Sequence, residues 1–323
     1  MSDKIAQQKE RAEQTEASAL ATGGSEGRLE SVSSKGLKQK KELRRVIGGV
    51  PMRLFLFVVT VIWTLPTIGL FVSSFRTRGA ISNSGWWTVF ANPFSANFTL
   101  ANYEQVIFAD QMGTAFLNSF LVTLPATVIP ITIAAFGAYA ISWMSFPGRT
   151  ILFVAIVGLL VVPLQTALIP ILRLYTRAQL NGTFLGIWLA HTGFGLPLAT
   201  YILYGYVSGI PKSIIESAHA DGATPWLMFT RLVLPLSVPA IASFAIFQFL
   251  WVWNDLLVAL VFLGTSPEKS VLTARLAELV GSRGQDWHVL TAGAFLTMVM
   301  PLIVFFSLQR YFVRGMMAGS VKG

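Results

Sequence analysis

Long apolar runs alternate with short polar segments along most of the chain. A helix needs about 20 apolar residues to cross a hydrocarbon core about 30 Å thick. From Met52 onward six runs have about that length, and they lie at 52–75, 114–142, 151–172, 184–207, 238–263 and 289–309. The pattern therefore predicts an all-α integral membrane domain of six transmembrane helices over residues 51–323.

The first fifty residues have a different character. They are rich in Ser, Glu, Gln, Ala, Gly and Lys and hold few large apolar side chains. Such a segment cannot bury enough surface to offset the entropy of ordering, so we expect residues 1–50 to form a disordered, basic cytoplasmic tail. A signal peptide is not expected, because the following apolar run is longer than a signal-peptide core of about 7–15 residues.

Composition supports the membrane assignment. Hydrophobic residues make up 54% of the chain and charged residues only 12%, whereas soluble domains hold about 25% charged residues. The chain has no Cys, which excludes disulfides, thiolate metal sites and Cys nucleophiles.

The net charge of +9 comes from basic residues whose placement indicates how the protein is oriented in the membrane rather than nucleic-acid binding. Eleven of the 24 Lys and Arg residues lie in residues 1–53, and no nucleic-acid-binding motif accompanies them. With the N-terminus inside, 17 basic residues lie inside and seven outside. The positive-inside rule then predicts a multi-pass membrane protein with both termini in the cytoplasm.

Proline interrupts almost every apolar run. The residues concerned are Pro66, Pro125, Pro130, Pro163, Pro170, Pro197 and Pro301. Each proline removes one helical N–H donor and clashes with the turn before it, so we expect kinked helices. The freed carbonyls then need donors from neighbouring helices or from water in a pathway. Kinks of this kind suit a moving transporter and simple packing equally well.

The segment between the fourth and fifth runs, residues 210–235, predicts two short helices. Gly222 supplies a left-handed residue that lets the first helix end at Asp221. Thr224 is then the expected N-cap of the second helix, with Pro225 at its first position.

Both short helices carry apolar residues at helical spacing. They are Ile214, Ile215 and Ala218 on the first helix, and Trp226, Phe229 and Leu232 or Val233 on the second. Exposed apolar anchors between two membrane spans indicate a protein partner. An amphipathic connector lying on lipid headgroups is the alternative, and spacing alone does not choose between them.

The spacing of residues in this loop resembles a known signature. Glu216-Ser-Ala218, three residues, Gly222, nine residues and Leu232-Val-Leu234-Pro235 are similar to the EAA loop of permease subunits of binding-protein-dependent ABC importers. Ser217 and Leu232 are mild departures, in place of Ala and Ile. The loop residues to which the resemblance assigns contact with an ATPase are Glu216, Ser217, Ala218, Asp221, Gly222, Leu234 and Pro235.

Other segments resemble the maltose-type carbohydrate permeases within that family. The C-terminal tail is similar to their Gly-x-Val-Lys-Gly end, through Gly319, Val321, Lys322 and Gly323. Similar segments also occur at 97–103, 118–119 and 251–255. The resemblance covers roughly residues 50–323. It implies the architecture of a type I ABC importer permease and a location in the bacterial inner membrane.

The resemblance implies a division of labour among subunits. Two permease subunits form the pathway, and the partner of this chain is expected to be a different subunit rather than a second copy. An external solute-binding protein delivers the solute. Two cytoplasmic ATP-binding subunits hold ATP and Mg²⁺, and the EAA-type loop and the C-terminal tail contact them. Glu216 is expected to pair with a basic group of the ATPase. This chain has no phosphate-binding-loop motif, so we expect a transport subunit that binds no cofactor and is not itself an enzyme.

Asp255 is the only acidic residue inside a predicted span, where an unpaired charge is costly. One interpretation places Trp251, Trp253, Asn254 and Asp255 in the solute pathway, with aromatic faces and amide or carboxylate oxygens recognising a sugar. The other gives Asp255 a structural hydrogen bond between helices, and this interpretation is favoured.

The expected solute is an oligosaccharide such as maltose or another α-glucoside, with glycerol phosphate or a monosaccharide as alternatives. An ion-coupled secondary carrier is a further alternative, but it predicts paired ionisable residues in the spans. His191, His219 and His288 are isolated in the sequence, so no metal site is expected.

Overall fold

A computed structural model describes residues 49–93, 97–282 and 285–318. Most of the predicted tail at 1–50, and Gly319, Val321, Lys322 and Gly323 of the predicted C-terminal contact, lie outside these residues. The chain divides into two units, Met1–Ile68 and Gly69–Gly323, with the boundary inside the first helix. The described residues are helical apart from turns and one isolated bridge between Arg76 and Phe98.

The helices are numbered here in chain order. The first five are α1 (Gly49–Ser74), α2 (Arg78–Asn83), α3 (Thr88–Ala91), α4 (Ala101–Glu104) and α5 (Met112–Trp143). The next five are α6 (Arg149–Gly158), α7 (Leu164–Arg177), α8 (Phe184–Val207), α9 (Lys212–Ala220) and α10 (Pro225–Met228). The last five are α11 (Leu234–Leu236), α12 (Val238–Trp253), α13 (Leu257–Phe262), α14 (Leu272–Ser282) and α15 (Trp287–Ala318). Short π-helical turns occupy Gln105–Ala109 and Phe229–Val233, and a 3₁₀ turn occupies Leu159–Val161.

Three helices among the described residues, α1, α5 and α15, are individually long and apolar enough to cross a membrane. The number rises to five if each of two bent pairs is counted as one span: α6 with α7, bent by 106°, and the segment Pro225–Leu236 with α12, bent by 69°. The fourth apolar run folds as α8, which has 24 residues. The all-α membrane fold is therefore confirmed, and the number of six spans remains a prediction.

Two runs that were expected to be continuous are broken. The third run breaks at Pro163, because the residue before a proline is pushed out of the helical region, and Val162 is accordingly extended at φ −74° and ψ 116°. The fifth run ends at Trp253, and α13 begins at Leu257. Between them the Asp255 carboxylate accepts hydrogen bonds from the first N–H groups of α13, which starts a new helix instead of extending α12.

The bundle is organised around α5. This helix packs along α8 and α12, and α12 packs in turn against α15. One core cluster includes Leu203 of α8 and Phe244 of α12 together with three residues of the loop between them, Ile215, Met228 and Phe229. Burial of these large side chains fixes the loop to the ends of the helices that it connects.

Candidate functional site

The loop between α8 and α12 contains the first of the two predicted helices, α9. It ends with Asp221 as its C-cap, and Gly222 follows at φ +76°. A β-carbon at Gly222 would meet nothing within 4 Å, so the requirement for glycine here is conformational rather than steric. The predicted left-handed glycine is confirmed.

The second helix of the loop also begins as predicted. The Thr224 hydroxyl oxygen accepts a hydrogen bond from the Leu227 N–H at 3.3 Å, and Pro225 occupies the first turn. The helix continues through the π-helical turn to Leu236. Pro235 has no N–H to donate to the turn before it. The π-helical turn lies in that position, directly before the Leu234-Pro235 pair.

One face of the loop is held against α5. The ring of Phe229 stacks on Phe136 with centroids 4.6 Å apart and lies 5.5 Å from the ring of Tyr139. The Tyr139 hydroxyl donates to the Pro225 carbonyl at 3.1 Å. Sequence reasoning missed both α5 residues, because only the folded chain brings them to the loop.

Part of the loop surface is exposed and apolar. Ile214 is 39% exposed, Trp226 65% and Leu227 40%. The Trp226 ring is exposed on one side only, because it also stacks on Phe136 of α5 with centroids 6.2 Å apart. Ile215, by contrast, is buried and Ala218 half-buried, so the expected single strip on α9 is divided. Successive helical residues point about 100° apart, which sends Ile214 outward and Ile215 inward.

The polar residues of the loop lie beside this apolar face. Glu216 is exposed and makes no ion pair within the described part of the chain. The Ser217 hydroxyl donates to the Ser213 carbonyl at 2.8 Å, and Asp221 is exposed at the end of α9. Leu234 is half-buried against the core, and Pro235 is exposed.

The residues predicted for a solute pathway do not share one surface. Trp253 is buried, and its indole N–H donates to the Thr297 carbonyl of α15 at 3.1 Å. Trp251 instead lies edge-on to His191 of α8, with ring centroids 5.5 Å apart. Asn254 is exposed, and its side-chain amide donates to the Leu250 carbonyl at 2.7 Å.

Asp255 makes structural contacts. Its carboxylate accepts from the Val258 N–H at 3.3 Å and from the Ala259 N–H at 2.9 Å, and its own carbonyl accepts from the Thr273 hydroxyl at 2.6 Å. The His191 Nε2 atom lies 3.8 Å from its Oδ2 atom. These contacts agree with the interpretation favoured from the sequence, in which the acid is a hydrogen-bonding group of the bundle. The histidine beside it was missed, because its sequence neighbours give no sign of it.

The apolar helical bundle, with its structured loop between α8 and α12, is that of a multi-pass membrane transport component. Residues 43–318 match the family described as binding-protein-dependent transport system inner membrane component, and the chain belongs to this family.

Three similar proteins illustrate the assignment. The chain is 59% identical to the osmoprotective compounds uptake permease protein GgtD of Synechocystis sp. over 84% of this chain and 92% of that protein. It is 57% identical to the alpha-glucoside transport system permease protein AglG of Rhizobium meliloti over 78% of this chain and 67% of that protein. A crystal structure of a bacterial ABC transporter that imports the acidic polysaccharide alginate gives a TM-score of 0.69 at 22% identity, over 83% of this chain and 97% of the matching chain. That likeness shows the permease fold.

Proposed function

We propose that this chain is the permease subunit of an ATP-driven importer for a carbohydrate, most specifically an oligosaccharide such as an α-glucoside. The family assignment supports a binding-protein-dependent importer and leaves no support for the ion-coupled carrier. The relative named for α-glucoside transport favours a glucoside over glycerol phosphate.

The observation that carries the proposal is the two-sided loop between α8 and α12. Its inner face is fixed to α5 through Phe229 and Tyr139. Its exposed surface includes Trp226, which stacks on Phe136 of α5 and yet remains 65% exposed. A large exposed aromatic side chain of this kind often dominates binding energy at protein interfaces. A partner that moves the exposed surface therefore moves the helices.

The proposed partners follow from this arrangement. Two separate ATP-binding subunits hold ATP and Mg²⁺ and receive the loop, with Glu216 offering a carboxylate to a basic group. The C-terminal Gly319, Val321, Lys322 and Gly323 are proposed as a second contact. A second permease subunit, different from this one, completes the pathway, and an external binding protein delivers solute. Both termini are proposed to be cytoplasmic, in accord with the charge distribution.

A matched pair of tryptophans tests the docking face. Trp226 and Trp87 are 65% and 64% exposed, but only Trp226 lies in the loop. We expect Trp226→Glu to abolish co-purification of the ATPase while the chain still inserts, and Trp87→Glu to retain the ATPase. Equal retention of the ATPase by both variants would refute docking through this face.

The solute is tested by reconstitution of the complete complex in liposomes. Binding protein loaded with an α-glucoside is expected to stimulate ATP hydrolysis and to move the sugar inward. Of the residues predicted for the pathway, we propose Asn254 as a solute contact because its side chain is exposed. Asn254→Ala should therefore change solute preference, and Asp255→Asn should leave it unchanged. Unaltered preference in the Asn254 variant would contradict this contact.

A further inference from the structure

The prolines of the long helices leave specific carbonyls without their helical donors. In an α-helix the N–H of each residue bonds the carbonyl four residues earlier, so Pro125 frees the carbonyl of Leu121. The indole Nε1–H of Trp188, on α8, donates to that same carbonyl at 2.8 Å. A donor from the neighbouring helix thus replaces the one that the proline removes.

The second proline of α5 repeats the arrangement with a different helix. Pro130 frees the carbonyl of Ala126, and the side-chain Nε2–H of Gln248, on α12, donates to it at 3.2 Å. Gln248 is fully buried, and its Oε1 atom has no hydrogen-bond partner within the described residues. Burying an amide in an apolar bundle is unfavourable unless its bonds compensate, so this side chain is not explained by packing alone.

A third case joins the last two spans. Pro301 of α15 frees the carbonyl of Thr297, and the indole Nε1–H of Trp253 on α12 donates to it at 3.1 Å. We refer to these three bonds, from Trp188, Gln248 and Trp253 to proline-freed carbonyls, as the proline clamps. They connect α8 to α5, α5 to α12 and α12 to α15.

We propose that Trp188, Gln248 and Trp253 are positioning residues that hold α8, α5, α12 and α15 together as one moving body during transport. The inference rests on the proposed function, because it concerns how loop movement reaches the spans. The loop joins α8 to α12, and each of these helices is clamped to α5. A displacement of the loop therefore acts on clamped helices and is not absorbed by sliding of one helix past another.

Restoring the missing backbone donor gives a specific test at Gln248. Four complexes are compared: the wild type, Gln248→Met, Pro130→Ala and the double variant. Alanine at 130 returns an N–H to the Ala126 carbonyl, so Gln248 becomes dispensable there. With Pro130 present, Gln248→Met should lower solute transported per ATP about threefold, the effect of an average inter-helix hydrogen bond in a membrane, and lower the Tm of the purified complex by about 1–2 °C.

The expected result is that Gln248→Met lowers solute transported per ATP and the Tm by less than half as much when residue 130 is Ala. Equal losses in both backgrounds would overturn the clamp, because deletion of an ordinary packing contact would be additive with the proline change. A non-additive Tm with unchanged solute per ATP in all four complexes would also overturn the positioning role. It would leave the bond as a static contact.

The same cycle at Trp188→Phe and Pro125→Ala provides a second test if the buried Gln248 variant fails to assemble. Trp143→Phe is the matched control. Its indole bonds the Val207 carbonyl at 3.1 Å, but that carbonyl also accepts from the Ile210 N–H. Trp143→Phe should therefore leave solute per ATP unchanged, and a loss equal to that of Trp188→Phe would contradict the clamp.

Failure of the proposed function is recognised separately. It appears in the wild-type complex as ATP hydrolysis that no carbohydrate-loaded binding protein stimulates. In that event the positioning role fails with the proposed function on which it rests, and the Tm cycle tests only the hydrogen bonds, with additive Tm changes showing that they do not replace the donors removed by proline.

Discussion

The hydroxyl of Tyr139 donates a hydrogen bond to the backbone carbonyl of Pro225 over 3.1 Å. Tyr139 belongs to the last turns of α5, whereas Pro225 begins α10 in the loop. The bond adds a fixed direction to the stacking of Phe229 on Phe136, which by itself allows the rings to slide. The loop is therefore held against the central helix of the bundle by both an apolar and a polar contact.

Tyr139→Phe keeps the ring and removes only this bond. A net hydrogen bond contributes about 0.5–1.5 kcal/mol, so we expect solute transported per ATP to fall about threefold while the amount of assembled complex is retained. Tyr201→Phe is the control, since Tyr201 is exposed and its hydroxyl makes no hydrogen bond within the described residues. Equal transport by the two variants, measured in liposomes, would show that the bond does not transmit movement.

Gly222 offers a test of backbone geometry. Its φ of +76° disfavours residues with a β-carbon by about 1–2 kcal/mol, least for Asn. The surrounding space is open, so size itself should not matter. We expect Gly222→Asn to retain most transport and Gly222→Val to lose it without losing insertion, as measured by sugar uptake and membrane content.

Gly205→Ala is the matched control for the loop glycine. Gly205 lies within α8, and a β-carbon there also meets nothing within 4 Å. Its replacement should leave uptake unchanged, because alanine is favoured over glycine in a helix. Similar uptake by the Asn and Val variants of Gly222 would contradict the left-handed requirement.

Much of the fold follows from the sequence because membrane spans and turn residues carry local signals. Apolar run length predicts α1, α5, α8 and α15, and Gly222 with Thr224 predicts the bend of the loop. These features depend on neighbours within a few residues.

The rest depends on contacts between distant parts of the chain. The break at Asn254 was not predicted, because apolar residues continue on both sides and only the capping bonds of Asp255 decide it. The sequence indicates that the carbonyls freed by Pro125 and Pro130 need donors, but it does not say that Trp188 and Gln248 supply them. Helix packing selects the donor.

Asp255 provides a test of that break. Its carboxylate accepts two backbone N–H groups at the start of α13, and loss of such a cap costs about 1 kcal/mol. Asp255→Ala is therefore expected to lower the Tm of the complex by about 2–4 °C. Asp255→Asn keeps one oxygen acceptor and should lose less. A Tm that is equal in all three proteins would exclude a capping role.

Gly195 of α8 is the position most sensitive to an added methyl group at the clamp between α5 and α12. A β-carbon there would lie 2.6 Å from Nε2 and 2.7 Å from Oε1 of Gln248. The amide would have to move away from the Ala126 carbonyl that it bonds. We expect Gly195→Ala to lower the Tm by several degrees and to reproduce the transport defect of Gln248→Met, although alanine is otherwise the better helix former by about 1 kcal/mol.

The neighbouring Gly193 supplies the control, because a β-carbon there meets nothing within 4 Å. Gly193→Ala should be neutral or slightly stabilising. Gln248→Ala shortens the side chain that the new methyl group would meet. In this background Gly195→Ala should therefore cause no further loss of Tm. If Gly195→Ala is as stable as Gly193→Ala, the contact between α8 and Gln248 is loose, and Gln248 is not held against the carbonyl of α5 by its surroundings.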